Sequence, residues 1–152
     1  MTKLATLILS LALVGLAIPK AHAAGAEYKE KDSPLAPYQE LIGEEKYEQA
    51  VKELEVALEE DPENADILNL LAFSHRKQGH FEVALDYYQR ALKIEPEHRR
   101  ANEYLGELYL QMGQLGKAEE RLQVLDDECF FGCDEFDQLE EAIAKYKEQN
   151  PS

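Results

Sequence analysis

The sequence predicts an all-α solenoid of about three helix-turn-helix units, closed by a C-terminal capping helix. Three observations predict it. The chain matches itself when shifted by 34 residues, apolar residues recur at spacings of three and four, and glycine and proline punctuate the pattern at fixed places.

At the 34-residue shift, Ala50, Ala84 and Ala118 coincide, as do Tyr47, Phe81 and Leu115, then Leu54, Tyr88 and Leu122. Ala57, Ala91 and Leu125 follow, and Pro62 falls on Pro96. The two later units share a further set: Leu71 with Leu105, Ala72 with Gly106, His75 with Tyr109 and Gly79 with Gly113. Each class of residue has a physical reason. A small side chain is needed where a second helix crosses its partner closely, since a larger one would overpack the contact. Gly79 and Gly113 allow the positive φ that ends a first helix. Pro62 and Pro96 are expected to open the next helix, where a missing N–H is harmless. Val51, Leu54 and Ala57-Leu58, like Leu85, Tyr88 and Ala91-Leu92, give each second helix one apolar face that it cannot bury alone.

The first unit, residues 33–64, is degenerate, because Pro34 and Pro37 limit its first helix to a short stretch from near Pro37 to near Gly43. Residues 65–98 form the most complete unit and residues 99–132 the third, in which Phe130 replaces the closing proline. The array therefore ends there. Phe136, Leu139, Ala142-Ile143 and Tyr146 stand at helical spacing in residues 133–148, as expected of a capping helix, with a loose tail expected over 149–152.

Residues 65–98 carry Leu68, Leu71-Ala72, His75, Gly79, Phe81, Ala84, Tyr88, Ala91 and Pro96 in one register, and on these positions the sequence resembles the tetratricopeptide-repeat (TPR) family. The resemblance implies that first helices line a concave groove that binds protein or peptide. It places Asn69, Phe73, Arg76 and Lys77 of the second unit on that surface, with Arg100, Glu103, Tyr104, Glu107 and Gln111 of the third. Phe73 and Tyr104 are the candidate aromatic anchors, or else pack only against neighbouring helices. Some members of the family clamp chaperone C-termini with lysines and asparagines; matched from the second unit, Asn69 stands where Lys belongs and Phe73 and Tyr104 where Asn belongs, and matched from the first, Leu35, Gln39 and Leu70 stand there, so that ligand is disfavoured in either register.

The N-terminus reads as a signal peptide over residues 1–23. Lys3 gives a positive start, Leu4 to Ile18 is mainly apolar, and Ala21-His22-Ala23 offers a cleavage site, with a flexible segment expected over 24–32. The alternative is an uncleaved membrane anchor, but the apolar run reaches only about 22 Å as a helix, against a hydrocarbon core of roughly 30 Å; once the segment is cleaved, no stable membrane insertion is expected. Loss of Lys3 and Lys20 takes the formal charge from −15 to −17. So acidic a chain repels nucleic acid and anionic lipid, and a protein partner is expected to be basic if charge has any role beyond solubility. The runs Glu44-Glu45, Glu59-Glu60-Asp61 and Glu119-Glu120 read as solvated outer faces.

Cys129 and Cys133 are separated by three residues and flanked by Asp126, Asp127, Glu128, Asp134 and Glu135. In an oxidising compartment a bridge pinning the cap is the expectation; a redox or metal-binding pair and free thiols are the alternatives. The closing stretch from Phe131 to Ile143 also resembles the tails of small exported bacterial TPR proteins with a cysteine pair. No phosphate loop, nucleophile elbow or metal-ligand motif occurs, so neither a catalytic site nor a cofactor or metal is expected. The functional expectation is a non-enzymatic binding module in the periplasm or another exported compartment. A thiol redox or metal-binding module built on Cys129 and Cys133 is the alternative, and the oligomeric state is left open.

Overall fold

The computed structural model describes residues 33–151, so the expected signal peptide and flexible segment lie outside the described residues. Seven helices follow in order: α1 (Ala36–Gly43), α2 (Tyr47–Glu60), α3 (Ala65–Lys77), α4 (Phe81–Ile94), α5 (Arg99–Gln111), α6 (Leu115–Glu128) and α7 (Asp134–Gln149). Helices pair as α1/α2, α3/α4 and α5/α6. Each second helix then meets the next first helix, and α7 packs on both α5 and α6. The first helices also touch in series, α1 on α3 and α3 on α5, and so form one continuous layer. Among the described residues no helix is long and apolar enough to cross a membrane.

The turn inside each unit uses one device three times. Gly79 lies at φ +80° and Gly113 at φ +73°, while the first unit puts Glu45 at φ +60° in the equivalent place. In each turn the residue after this one donates its N–H five residues back, Lys46 to Leu41 (2.8 Å), His80 to His75 (2.9 Å) and Gln114 to Tyr109 (2.8 Å). The residue at positive φ donates three back, to Ile42, Arg76 and Leu110, all at 3.0 Å. That pair of bonds satisfies the last carbonyls of the first helix and reverses the chain.

Between units the prolines stand elsewhere than expected. Pro62 and Pro96 occupy the second position of β-turns closed by Asn64 N–H to Asp61 O (3.3 Å) and His98 N–H to Glu95 O (3.1 Å), not the first helical position. Their fixed φ suits the turn. The residue that closes each turn caps the next helix: Asn64 Oδ1 accepts from Ile67 N–H at 3.0 Å, and His98 Nδ1 from Ala101 N–H at 3.2 Å.

Ala50, Ala84 and Ala118 have no exposed surface, as the crossing argument requires. Ala50, Leu54, Ile67, Leu70 and Leu71 make one buried group between α2 and α3. A larger group runs from Leu68 and Ala72 through Tyr88, Leu105 and Leu108 to Leu139 and Ile143 of α7. Partly buried Leu58 and Tyr87 border both groups. The cap therefore belongs to the core. It also runs one residue further than expected, to Gln149, which is helical rather than loose; Asn150 closes the helix with N–H and Nδ2 bonds to Tyr146 O at 3.0 and 2.9 Å.

Cys129 and Cys133 are joined in a disulfide across the turn between α6 and α7. Gly132, at φ +84°, makes that turn possible, and Phe130 and Phe131 project from it almost fully exposed.

Candidate functional site

The layer of first helices leaves a cleft where α1, α3 and α5 meet. Gln39, Ile42 and Gly43 supply one side, Asn69, Leu70 and Phe73 the floor, and Arg100 and Tyr104 the far side. Four of the nine residues proposed from the family resemblance meet here: Asn69, Phe73, Arg100 and Tyr104. They are spaced by four within each helix, which turns them to one face.

Beside the cleft Arg76, Glu107 and Lys77 form a supporting network. Arg76 is buried and holds Glu107 at 2.7 Å, while its guanidinium lies 5.2 Å from the Phe73 ring centre and 5.6 Å from that of Tyr104. Phe73 and Tyr104 are themselves 4.9 Å apart, and Tyr47 extends the aromatic row at 6.5 Å from Phe73. The stacked cation thereby fixes both rings at the cleft. Lys77 caps the outer side of Phe73 at 5.8 Å. Gln111 is exposed, roughly two helical turns beyond Tyr104.

Glu103 occupies in the third unit the position of Asn69 in the second, and both side chains are buried. Burial, with Glu107 and Glu135 nearby, pushes its carboxyl up to about 7 despite Arg76 and Arg100. Tyr104 also ionises above the usual phenol range, through burial and then Glu103.

The buried polar groups differ in how well they are satisfied. Asn102 is fully enclosed, yet its Nδ2 donates to Pro96 O at 3.0 Å and to His98 O at 3.1 Å, and its Oδ1 accepts from Arg121 at 3.3 Å. Asn69 Oδ1 and Gln39 Oε1 are buried with no hydrogen-bond partner, and both side chains line the cleft. Searching only the second and third units for ligand residues misses Gln39 and Ile42; extending the first-helix rule to the short α1 would have found them.

Two overlapping matches to the tetratricopeptide-repeat family model, over residues 41–82 and 75–128, together span more than half of the chain. The protein belongs to the tetratricopeptide-repeat family. No curated protein matches it. Among solved structures, this TPR array is similar to the Sgt2 TPR domain from Aspergillus fumigatus, with 23% identity and a TM-score of 0.66 over 77% of this chain and 79% of that one. It is also similar to the Yersinia enterocolitica type III secretion chaperone SycD in complex with a peptide of the translocator YopD. There the identity is 21% and the TM-score 0.63, over 75% of this chain and 86% of the other. A tetratricopeptide repeat protein from Parabacteroides merdae gives 23% and 0.63, over 80% of this chain and 49% of that one. At these identities the likeness shows a shared TPR fold.

Proposed function

We propose that this TPR array is a non-enzymatic adaptor of an exported compartment, the periplasm in a bacterial cell, and that it holds a segment of a partner protein in the cleft between α1, α3 and α5. The observation that carries this reading is the cleft itself, where rings fixed by Arg76 stand beside two polar side chains left without internal partners. Aromatic residues presented in a pocket are where interface energy concentrates, and uncompensated buried amides are costly unless a ligand meets them. SycD, of the same fold, is seen with a bound peptide, which supports the reading without naming a partner here. The acidic chain as a whole would attract a basic protein, an effect that weakens as salt rises, while Arg100 keeps lysine and arginine side chains out of the cleft itself. The signal-like N-terminus supports export.

Recovery of partners from envelope extract by intact protein and by the Phe73→Ala/Tyr104→Ala variant tests the proposal, with circular dichroism confirming that the variant is folded. Loss of a specific protein from the variant is expected; equal recovery of every protein would remove the cleft from the account.

One observation favours a second reading, a redox role. Cys133 is the N-cap residue of α7, where a helix terminus stabilises a thiolate. The acidic flank opposes it. A reduction potential below about −300 mV would mark the bond as structural, and a more oxidising one as exchangeable.

A further inference from the structure

The cleft's chemistry narrows what it can receive; the inference rests on the proposed protein-binding reading and deepens it. We infer that the cleft is a subsite for one uncharged aromatic side chain carrying a hydrogen-bond donor, a tryptophan or a tyrosine of the partner. Its volume is about 210 Å³. An engineered apolar cavity of about 150 Å³ takes benzene, so a substituted ring fits here. Ile42, Leu70, Phe73 and Tyr104 give it apolar and aromatic walls.

Two polar features then select among rings. Asn69 Oδ1 and Gln39 Oε1 are buried acceptors without donors, although buried amides are normally satisfied, as Asn102 is. An indole N–H or phenol O–H supplies the missing donor; a phenyl ring would leave both oxygens bare. Turning either amide over places an NH2 group in the same spot, and a phenol oxygen can accept from it. Arg100 on the far side repels lysine and arginine side chains. A carboxylate would be drawn to Arg100 but finds donors at the two amides only if both turn over, whereas an N–H or O–H donor meets the oxygens where they stand.

Side-chain analogues test this directly: 3-methylindole, p-cresol and toluene, titrated into 15N-labelled oxidised protein in the form the cell produces. The side-chain amide resonances of Asn69 and Gln39 report the site. The indole and the phenol are expected to shift both amides and to bind at least about tenfold more tightly than toluene, the scale set by an uncompensated buried polar group. The conservative-volume variant Asn69→Leu and, separately, the less enclosed Gln39→Leu should narrow or invert that preference while keeping the helical spectrum. Toluene binding as well as the phenol, or none of the three probes moving these amides, would overturn the inference. The outcome is separable from that of the function proposal. If partner capture depends on Phe73 and Tyr104 but toluene binds equally, only the donor preference falls; if the probes discriminate but no partner is captured, only the adaptor reading falls.

Discussion

Gly106 of α5 is where the last repeat packs against the cap, and it yields the sharpest expectation about stability. A methyl group built there would lie 2.5 and 2.6 Å from the two Cδ atoms of Leu139 and 3.2 Å from its Cγ. Leu139 has no exposed surface and cannot swing into solvent. Overpacking of this kind costs roughly 1–3 kcal/mol, whereas replacing glycine by alanine inside a helix returns about 1 kcal/mol. Gly106→Ala should therefore cost about 0–2 kcal/mol net. Leu139→Ala, which empties the contact from the other side, should cost about 2–5 kcal/mol. In the double variant the added methyl meets vacated space, so Gly106→Ala should become stabilising by about 1 kcal/mol in that background. Urea unfolding of the four oxidised proteins at one pH closes the cycle. A reversal of sign is expected; an effect of Gly106→Ala equal in both backgrounds to within about 0.5 kcal/mol would refute the packing of α7 on α5.

Other positions give independent expectations. Glu45 adopts a left-handed conformation that glycine takes in the later units, so Glu45→Gly should raise stability by about 0.5–1 kcal/mol in urea melts, because the relief of strain exceeds the added unfolded-state entropy. Glu103 binds its proton more tightly when folded than when unfolded, so its contribution is fully present below the unfolded carboxyl range near 4.5 and is lost as pH rises through about 7. Glu103→Gln should accordingly exceed the parent in stability at pH 8 and differ little from it at pH 5, as read by thermal melts. His98 caps α5 through Nδ1 and reaches Asp66 Oδ1 at 3.1 Å through Nε2. His98→Asn should keep most of the cap, whereas His98→Ala should lose about 1 kcal/mol more in urea. Replacing both cysteines by serine opens a very short loop and should cost about 2 kcal/mol at most, measured the same way.

How much of this was legible in the sequence depended on whether a feature is local or rotational. The crossing alanines and the turn glycines were readable because each position allows few residue types, and the 34-residue shift repeats them. Glu45 was not, since nothing in a glutamate announces positive φ; only its alignment with Gly79 and Gly113 does. Pro62 and Pro96 were readable as punctuation but misplaced by one turn, because a proline suits the second position of a β-turn as well as the start of a helix. In the cleft, the aromatic pair followed from the family resemblance, which turns the first helices toward the groove. The Arg76–Glu107 pair and the orphaned oxygens of Asn69 and Gln39 did not, because they depend on how α1, α3 and α5 rotate against each other.

The central claim is that a partner polypeptide lies on the first-helix layer. Photo-crosslinking in intact cells from two glycines tests it most directly. Gly43 lines the cleft and Gly116 lies on α6, and a Cβ built at either meets no atom within 4 Å. A photoreactive phenylalanine at Gly43 should yield one discrete polypeptide adduct that disappears with Tyr104→Ala, while the same group at Gly116 should yield none. An adduct from Gly116 alone, or one from Gly43 that persists unchanged with Tyr104→Ala, would contradict the account.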